Sequence, residues 1–205
     1  MTPRTKEQNE QIRSRRMAQI LKAAADVYLD KGMLMEIRDV AAEAGLGYGT
    51  VYHYYKNKTD LLYDMLSQAM ERAAELLRLP AAVASADLRT LAGRLLSAWD
   101  GDHAFYLACQ LGGTEFRPLP EEQAVRLNAA YRAQVLFPLA GLLGPPGGSF
   151  AAAQAVSGTL SGAPPGPEAE RRAEWLLAAL AGCALPALRR GTLHTEAKQI
   201  TQFLF

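Results

Sequence analysis

The residues with the most chemistry to offer form one short run, Gly47-Tyr48-Gly49-Thr50-Val51-Tyr52-His53-Tyr54, with Lys56 and Lys58 just behind it. On a helix starting near Gly47, Val51 and Tyr54 fall on one side. Tyr48, Gly49, Thr50, Tyr52 and His53 are left pointing outward. A face of hydroxyls and an imidazole, with a glycine that permits close approach and cations alongside, suits contact with a nucleic-acid groove. Tyr48 and Thr50 are best placed to reach base edges, Thr50 through its methyl or hydroxyl. Tyr52 and His53 suit phosphate or thymine methyl groups. Lys58 follows Asn57, which reads as an N-cap with Asp60 three positions on. It therefore opens a new helix whose free amides suit a phosphate. Arg38 and Lys56 are further positioning cations. The plain alternative for each residue is a solvated side chain that touches nothing.

Other groupings are weaker. Asp100, Asp102 and His103 come closest to a catalytic set, but an Asp-Gly-Asp-His run is more often a turn with a helix cap. No nucleophile, base and orienting group recur at recognisable spacing, and no phosphate loop is present. Cys109 and Cys183 sit in apolar stretches and read as buried free thiols. Neither they nor His53, His103 and His194 have ligand-like spacing. No metal and no cofactor is expected.

The outward-facing run needs elements to hold it. Val40, Ala41 and Ala44 form one apolar face of a short helix that Gly45 ends, since glycine takes a left-handed backbone at no steric cost. Leu46 plugs the corner, and Val51 and Tyr54 pack back onto Val40 and Ala41. Two short helices at a tight glycine turn make a helix-turn-helix, whose second helix lies in a DNA major groove. Ahead of it, Met17, Ile20, Leu21, Ala24, Val27 and Tyr28 recur at three and four, predicting a helix from about Asn9–Ile12 to Lys31, stopped by Gly32. The segment from Met1 to Lys22 holds six basic residues against Glu7 and Glu10. Its arm, residues 1–11, either lies along DNA or is a solvated tail.

Positions 37 to 66, with RDVAAEAG and then GTVYHYYKNKTDLL, resemble the TetR family of one-component transcriptional regulators. The resemblance implies an all-α homodimer, with an N-terminal three-helix DNA-binding head (residues 1–57) and a larger helical effector-binding and dimerisation body (58–205). It also implies that Tyr52 contacts the DNA backbone, and that the long helix from Lys58 tilts when ligand binds. Two departures stand out. The connection Gly32 to Glu36 is one residue short, and Met35-Glu36 replaces the usual Ser or Thr cap. That predicts a cap weaker by about 1 kcal/mol, with the charge of Glu36 as partial compensation.

The fourth helix carries a stripe of Leu61, Leu62, Met65, Leu66, Ala69, Ala73 and Leu76, and Pro80 ends it. Beyond it the periodicity predicts helices at Asp87–Trp99, Asp102–Leu111 and Glu121–Leu143, the last kinked at Pro138. A weaker helical piece, Phe150–Leu160, lies between the loops Gly144–Gly148 and Ser161–Pro167. The final pair, about 168–190 and 194–205, has wide apolar faces; the resemblance implies that they form a four-helix bundle with a partner subunit, and the plainer alternative is packing onto their own core. Trp99, His103, Tyr106, Gln110, Phe116 and Tyr131 are the candidates for an effector pocket, each with core packing as its plainer reading. Such a pocket would be apolar and sparsely charged, suited to a lipophilic or aromatic effector.

Hydrophobic residues make up 49% of the chain and charged residues 21%, enough for a large core. No apolar run approaches a membrane span of ~20 residues, and the first residues lack the apolar core of a secretory signal, so a cytoplasmic protein is expected. The resemblance, taken with these features, implies a homodimeric repressor released from a palindromic double-stranded DNA operator by a small lipophilic effector. Alternatives are an activator, an effector-independent DNA-binding protein and, more distantly, an enzyme built on the helical body.

Overall fold

A computed structural model describes residues 6–77, 88–143 and 165–205, which are helical with no strand among them. The described helices are α1 (Lys6–Lys31), α2 (Ile37–Glu43), α3 (Tyr48–Tyr54), α4 (Lys58–Leu77), α5 (Leu88–Gly101), α6 (His103–Gly112), α7 (Glu121–Tyr131), α8 (Phe137–Leu143), α9 (Pro167–Arg190) and α10 (Leu193–Leu204). Residue contacts separate two compact units, one ending at Met65 and one beginning at Leu66. The division falls within α4, later in the chain than the expected 57/58 boundary. The expected end of α4 at Pro80, the loop Gly144–Gly148 and the piece Phe150–Leu160 lie outside the described residues.

In the first unit α1 begins at Lys6, ahead of the expected start, because Lys, Glu and Gln are good helix formers. The basic segment is therefore helical from Lys6 onward. Ile20, Leu21, Ala24, Val27 and Tyr28 are buried as the stripe requires. Gly32, at φ +57°, ends α1 and starts a single 3-10 turn, Gly32–Leu34.

The start of α2 is better secured than its sequence suggested. Glu36 is the N-cap residue, and its backbone N–H donates to Asp39 Oδ2 at 3.0 Å. The other oxygen of Asp39 meets Lys31 Nζ at 2.9 Å. The Lys31 hydrogen bond, followed by that from the Glu36 N–H, holds the Asp39 carboxyl below its ordinary pKa. Met35 and Val40 flank the cap in hydrophobic-staple positions and are both fully buried. Asp39 thus corrects the expectation of a weak cap.

At the other end of α2, Gly45 takes φ +62°. Its N–H donates to the Ala42 carbonyl at 3.1 Å, and that of Leu46 to Ala41 at 2.9 Å. These two bonds are a Schellman motif. Gln19 Nε2 donates to the Ala44 carbonyl at 2.6 Å, fastening the turn to α1. Leu46 is only half-buried, so the corner is filled chiefly by Val40, Ala41, Ala44 and Val51.

In the second unit, Asp102 caps α6 by accepting from the Phe105 N–H at 3.1 Å, while its other oxygen takes Arg72 Nε at 2.7 Å. Asp100 accepts from the His194 N–H at 3.1 Å, at the start of α10. The Asp-Gly-Asp-His run is a pair of caps. The expected kink at Pro138 is instead a stretch of π-helix, Arg132–Leu136, just ahead of it. Proline has no N–H to donate to the fourth carbonyl behind it, and the wider turn absorbs the break. Pro167, expected in a loop, is the first residue of α9, where its fixed φ suits a helix start. Gly191, at φ +67°, closes α9 with a second Schellman pair, Gly191 N–H to Leu188 and Thr192 N–H to Ala187.

Candidate nucleic-acid interface and ligand site

Helix α3 starts from Gly47 in extended backbone, φ −63° and ψ 141°. Val51 is fully buried and anchors its inner side. Tyr48 and Tyr52, one turn apart, are 53% and 44% exposed. Their rings stack at 5.6 Å between centroids and 24° between planes. Each ring therefore holds the other upright, and together they form an aromatic ridge. His53 is exposed and meets Tyr54 edge-on at 5.7 Å. Gly47, Gly49, Arg38 and Lys56 are exposed as well, and a Cβ added to Gly49 would meet nothing within 4 Å.

Two of the predicted residues differ from expectation. Thr50 is half-buried. Side chains lean towards a helix N-terminus, and the Thr50 hydroxyl lies 3.8 Å from where a Cβ on Gly47 would be. Lys58 is also half-buried, and its ammonium donates to the Met33 carbonyl at 2.7 Å. Asn57 caps α4 as expected, its Oδ1 accepting from the Asp60 N–H at 2.8 Å. Arg38 shares its charge with Glu36 at 2.9 Å.

Sequence reasoning missed Tyr55, which is buried and whose hydroxyl donates to the Asp64 carboxylate. Burial, then that hydrogen bond, pushes the Tyr55 hydroxyl well above its ordinary pKa, so it remains a donor. A tyrosine and an aspartate nine positions apart on different elements carry no local signal.

The six candidate effector residues divide. Trp99, Tyr106, Phe116 and Tyr131 are all buried. Tyr106 meets Trp99 edge-to-face at 5.5 Å, and Tyr131 meets Phe116 at 6.0 Å. The Tyr106 hydroxyl donates to the Ala181 carbonyl at 3.2 Å, joining α6 to α9, and burial pushes its pKa up to about 12. Trp99 Nε1 is buried without a hydrogen-bond partner, and the neighbouring Cys109 thiol is a weak acceptor. Burial raises that thiol's pKa, as expected of an inert core cysteine. Gly112 lies against the Tyr131 ring, where a Cβ would stand 2.6 Å from the nearest ring carbon. His103 is half-buried at the start of α6, and Gln110 is exposed. Gln110 is polar because it takes the water-facing position of an otherwise buried helix, which removes it from an interior pocket.

Between α5 and α10 runs an open groove of about 660 Å³, bordered by Arg94, Ser97, His194, Lys198 and Thr201. The outer side of α9 exposes Ala178, Ala179 and Gly182 beside Trp175, which is 65% exposed. On α10, Phe203 is 82% exposed. No described helix is long and apolar enough to cross a membrane.

Residues 20–65 match the family model for bacterial regulatory proteins of the tetR family. The fatty acid metabolism regulator protein of Bacillus subtilis (strain 168) is 32% identical over 98 residues. That alignment covers 45% of this chain and spans half the length of the relative. Among solved structures, the fatty acid degradation regulator FadR of Bacillus halodurans superposes with a TM-score of 0.57 at 20% identity, covering 91% of this chain and 96% of that one. FadR of Bacillus subtilis, in complex with stearoyl-CoA, gives 0.55 at 21% identity over the same shares. A tetR-family transcriptional regulator of Streptomyces coelicolor gives 0.53 at 20%, covering 93% of this chain and 78% of that one. At these identities the structural matches establish the fold, and the head carries the family signature. Residues 20–65 thus carry the signature of the tetR family of bacterial regulatory proteins, and the chain as a whole shares the fold of these solved regulators.

Proposed function

We propose that the protein is a homodimeric repressor that leaves its operator when a long-chain acyl thioester of coenzyme A binds the helical body. The observation that carries the DNA half is the exposed Tyr48–Tyr52 stack on a helix held by a glycine-closed turn. Tyr48, Gly49, Tyr52 and His53 meet the groove and its backbone, with Thr50 at the N-terminal end of α3. Arg38 and Lys56 lie alongside. Two such helices need a dimer to match two half-sites. The small residues Ala178, Ala179 and Gly182 on α9, with Trp175 and Phe203, offer the surface for it.

The effector class rests on likeness to a regulator solved with stearoyl-CoA. It is supported by the buried aromatic pairs Trp99–Tyr106 and Phe116–Tyr131 in the body. The α5–α10 groove, with Arg94 and Lys198, offers cations for phosphates in the same unit. The test is a gel shift of the purified protein on DNA flanking its own gene, titrated with acyl-CoAs of increasing chain length, free fatty acids and free coenzyme A. Release by long acyl-CoAs alone is the expected result. A shift that strengthens with acyl-CoA would replace repressor release by effector-dependent binding, and indifference to all three ligands would refute the effector class. Tyr48→Ala should weaken operator binding by about 1–3 kcal/mol, since it removes one contact and the support of Tyr52; an unchanged shift would remove the ridge from the interface.

A further inference from the structure

Two polar ties within the head hold the start of α4, and neither is on the outward face of α3. Lys58, the first residue of α4, reaches back to the Met33 carbonyl at 2.7 Å. Met33 lies in the 3-10 turn that leads into α2. Tyr55 is the residue that leaves α3, and its hydroxyl donates to Asp64 in the second turn of α4. The first turns of α4 are thereby fastened to the entry of α2 and to the exit of the recognition helix.

A lysine at a helix N-terminus sits at the positive end of the dipole, which disfavours its charge. A carbonyl oxygen taken up at hydrogen-bond distance offsets that cost. Lys56, two positions earlier, is exposed and free to turn towards a phosphate. We infer that Lys58 and the Tyr55–Asp64 pair are positioning residues of the DNA-binding head. They lock α4 to the helix-turn-helix, and the charge of Lys58 serves Met33, not a phosphate. This rests on the DNA-binding reading above.

The distinction is measurable, because a phosphate contact releases counterions and a strut does not. The full-length protein is used to select an operator from random DNA. Its affinities for that operator and for a random duplex are then measured by fluorescence anisotropy across a salt series. Lys58→Met keeps the chain length and removes charge and donor; Lys58→Arg keeps both; Tyr55→Phe removes only a hydroxyl. Lys58→Met and Tyr55→Phe should each lower operator affinity by roughly 3- to 30-fold. Binding to the random duplex should barely change, so the specificity ratio falls, and Lys58→Arg should restore it.

The slope of log affinity against log salt should stay at the wild-type value in all three variants. A slope reduced by about 1 per protomer in Lys58→Met, with equal loss on both duplexes, would make Lys58 a phosphate ligand and overturn its assignment. Wild-type affinity and specificity in Tyr55→Phe would overturn the second tie. If Tyr55→Phe fails to fold by circular dichroism, Asp64→Asn, which weakens the acceptor from the other side, is read by the same criteria. A wild-type protein that selects no sequence would overturn the DNA-binding reading itself, a separate result from either failure.

Discussion

Gly112→Ala gives the sharpest test of how the body is packed. At most helix positions this change is favourable, by about 1 kcal/mol, because alanine loses less backbone freedom on folding. Here the new Cβ would stand 2.6–2.7 Å from three carbons of the Tyr131 ring, well inside van der Waals contact. The ring has little room to withdraw, since Tyr131 is buried with Phe116 edge-on at 6.0 Å. Overpacking of this kind costs about 1–3 kcal/mol, enough to outweigh the propensity gain. For a chain of this size a net loss of about 1 kcal/mol lowers Tm by roughly 2–4 °C. Thermal melts by circular dichroism on wild type, Gly112→Ala and the double variant Gly112→Ala/Tyr131→Leu check it. The single variant should melt lower, and the double variant should recover part of the difference because the obstructing ring is gone. A Gly112→Ala protein as stable as wild type would mean that the two helices are not in the contact described.

Two further outcomes follow from the caps and the outer faces. Asp39 has a lowered pKa in the folded head, so what it contributes is complete at neutral pH and disappears as pH falls below the ordinary carboxylate range and through that lowered value. Acid titration of Tm should therefore show wild type above Asp39→Asn at neutral pH and the two converging in strong acid; a gap that persists there would assign the effect to packing. Ala178→Glu places a charge on the small-residue face of α9 and should give monomers in sedimentation, while a surviving dimer would put the interface elsewhere.

The head was the more legible half of the sequence because its signals are local. Gly45 and Gly32 marked their turns through a backbone requirement that one residue type meets cheaply, and both take positive φ. Asn57 and Asp60 announced a helix start within four positions. The missed contacts are those that span distance. Tyr55 with Asp64 and Lys58 with Met33 join elements whose pairing no short pattern encodes. The Asp39 cap was overlooked because its carboxylate reaches backwards to Glu36 from inside the helix. In the body, the large aromatics of the apolar helices are interior, as core packing alone would have them, but Gln110 shows the limit of reading position from residue type. A polar residue among apolar ones marks a pocket or a water-facing stripe, and only the helix's rotation separates the two. The π-helical stretch before Pro138 was hidden for a related reason: proline announces a broken ladder, not how the chain absorbs it.

The chain has two tryptophans, and their surroundings make them separate optical reporters. Trp99 is completely shielded within the aromatic cluster, whereas Trp175 is 65% exposed on α9. Iodide should quench only the redder emission of Trp175, leaving a blue component from Trp99. Association through α9 would shield Trp175 from the quencher, and an effector entering the cluster would alter the Trp99 component. Assembly and occupancy could then be followed in one cuvette, without a label, from two bands of the same spectrum.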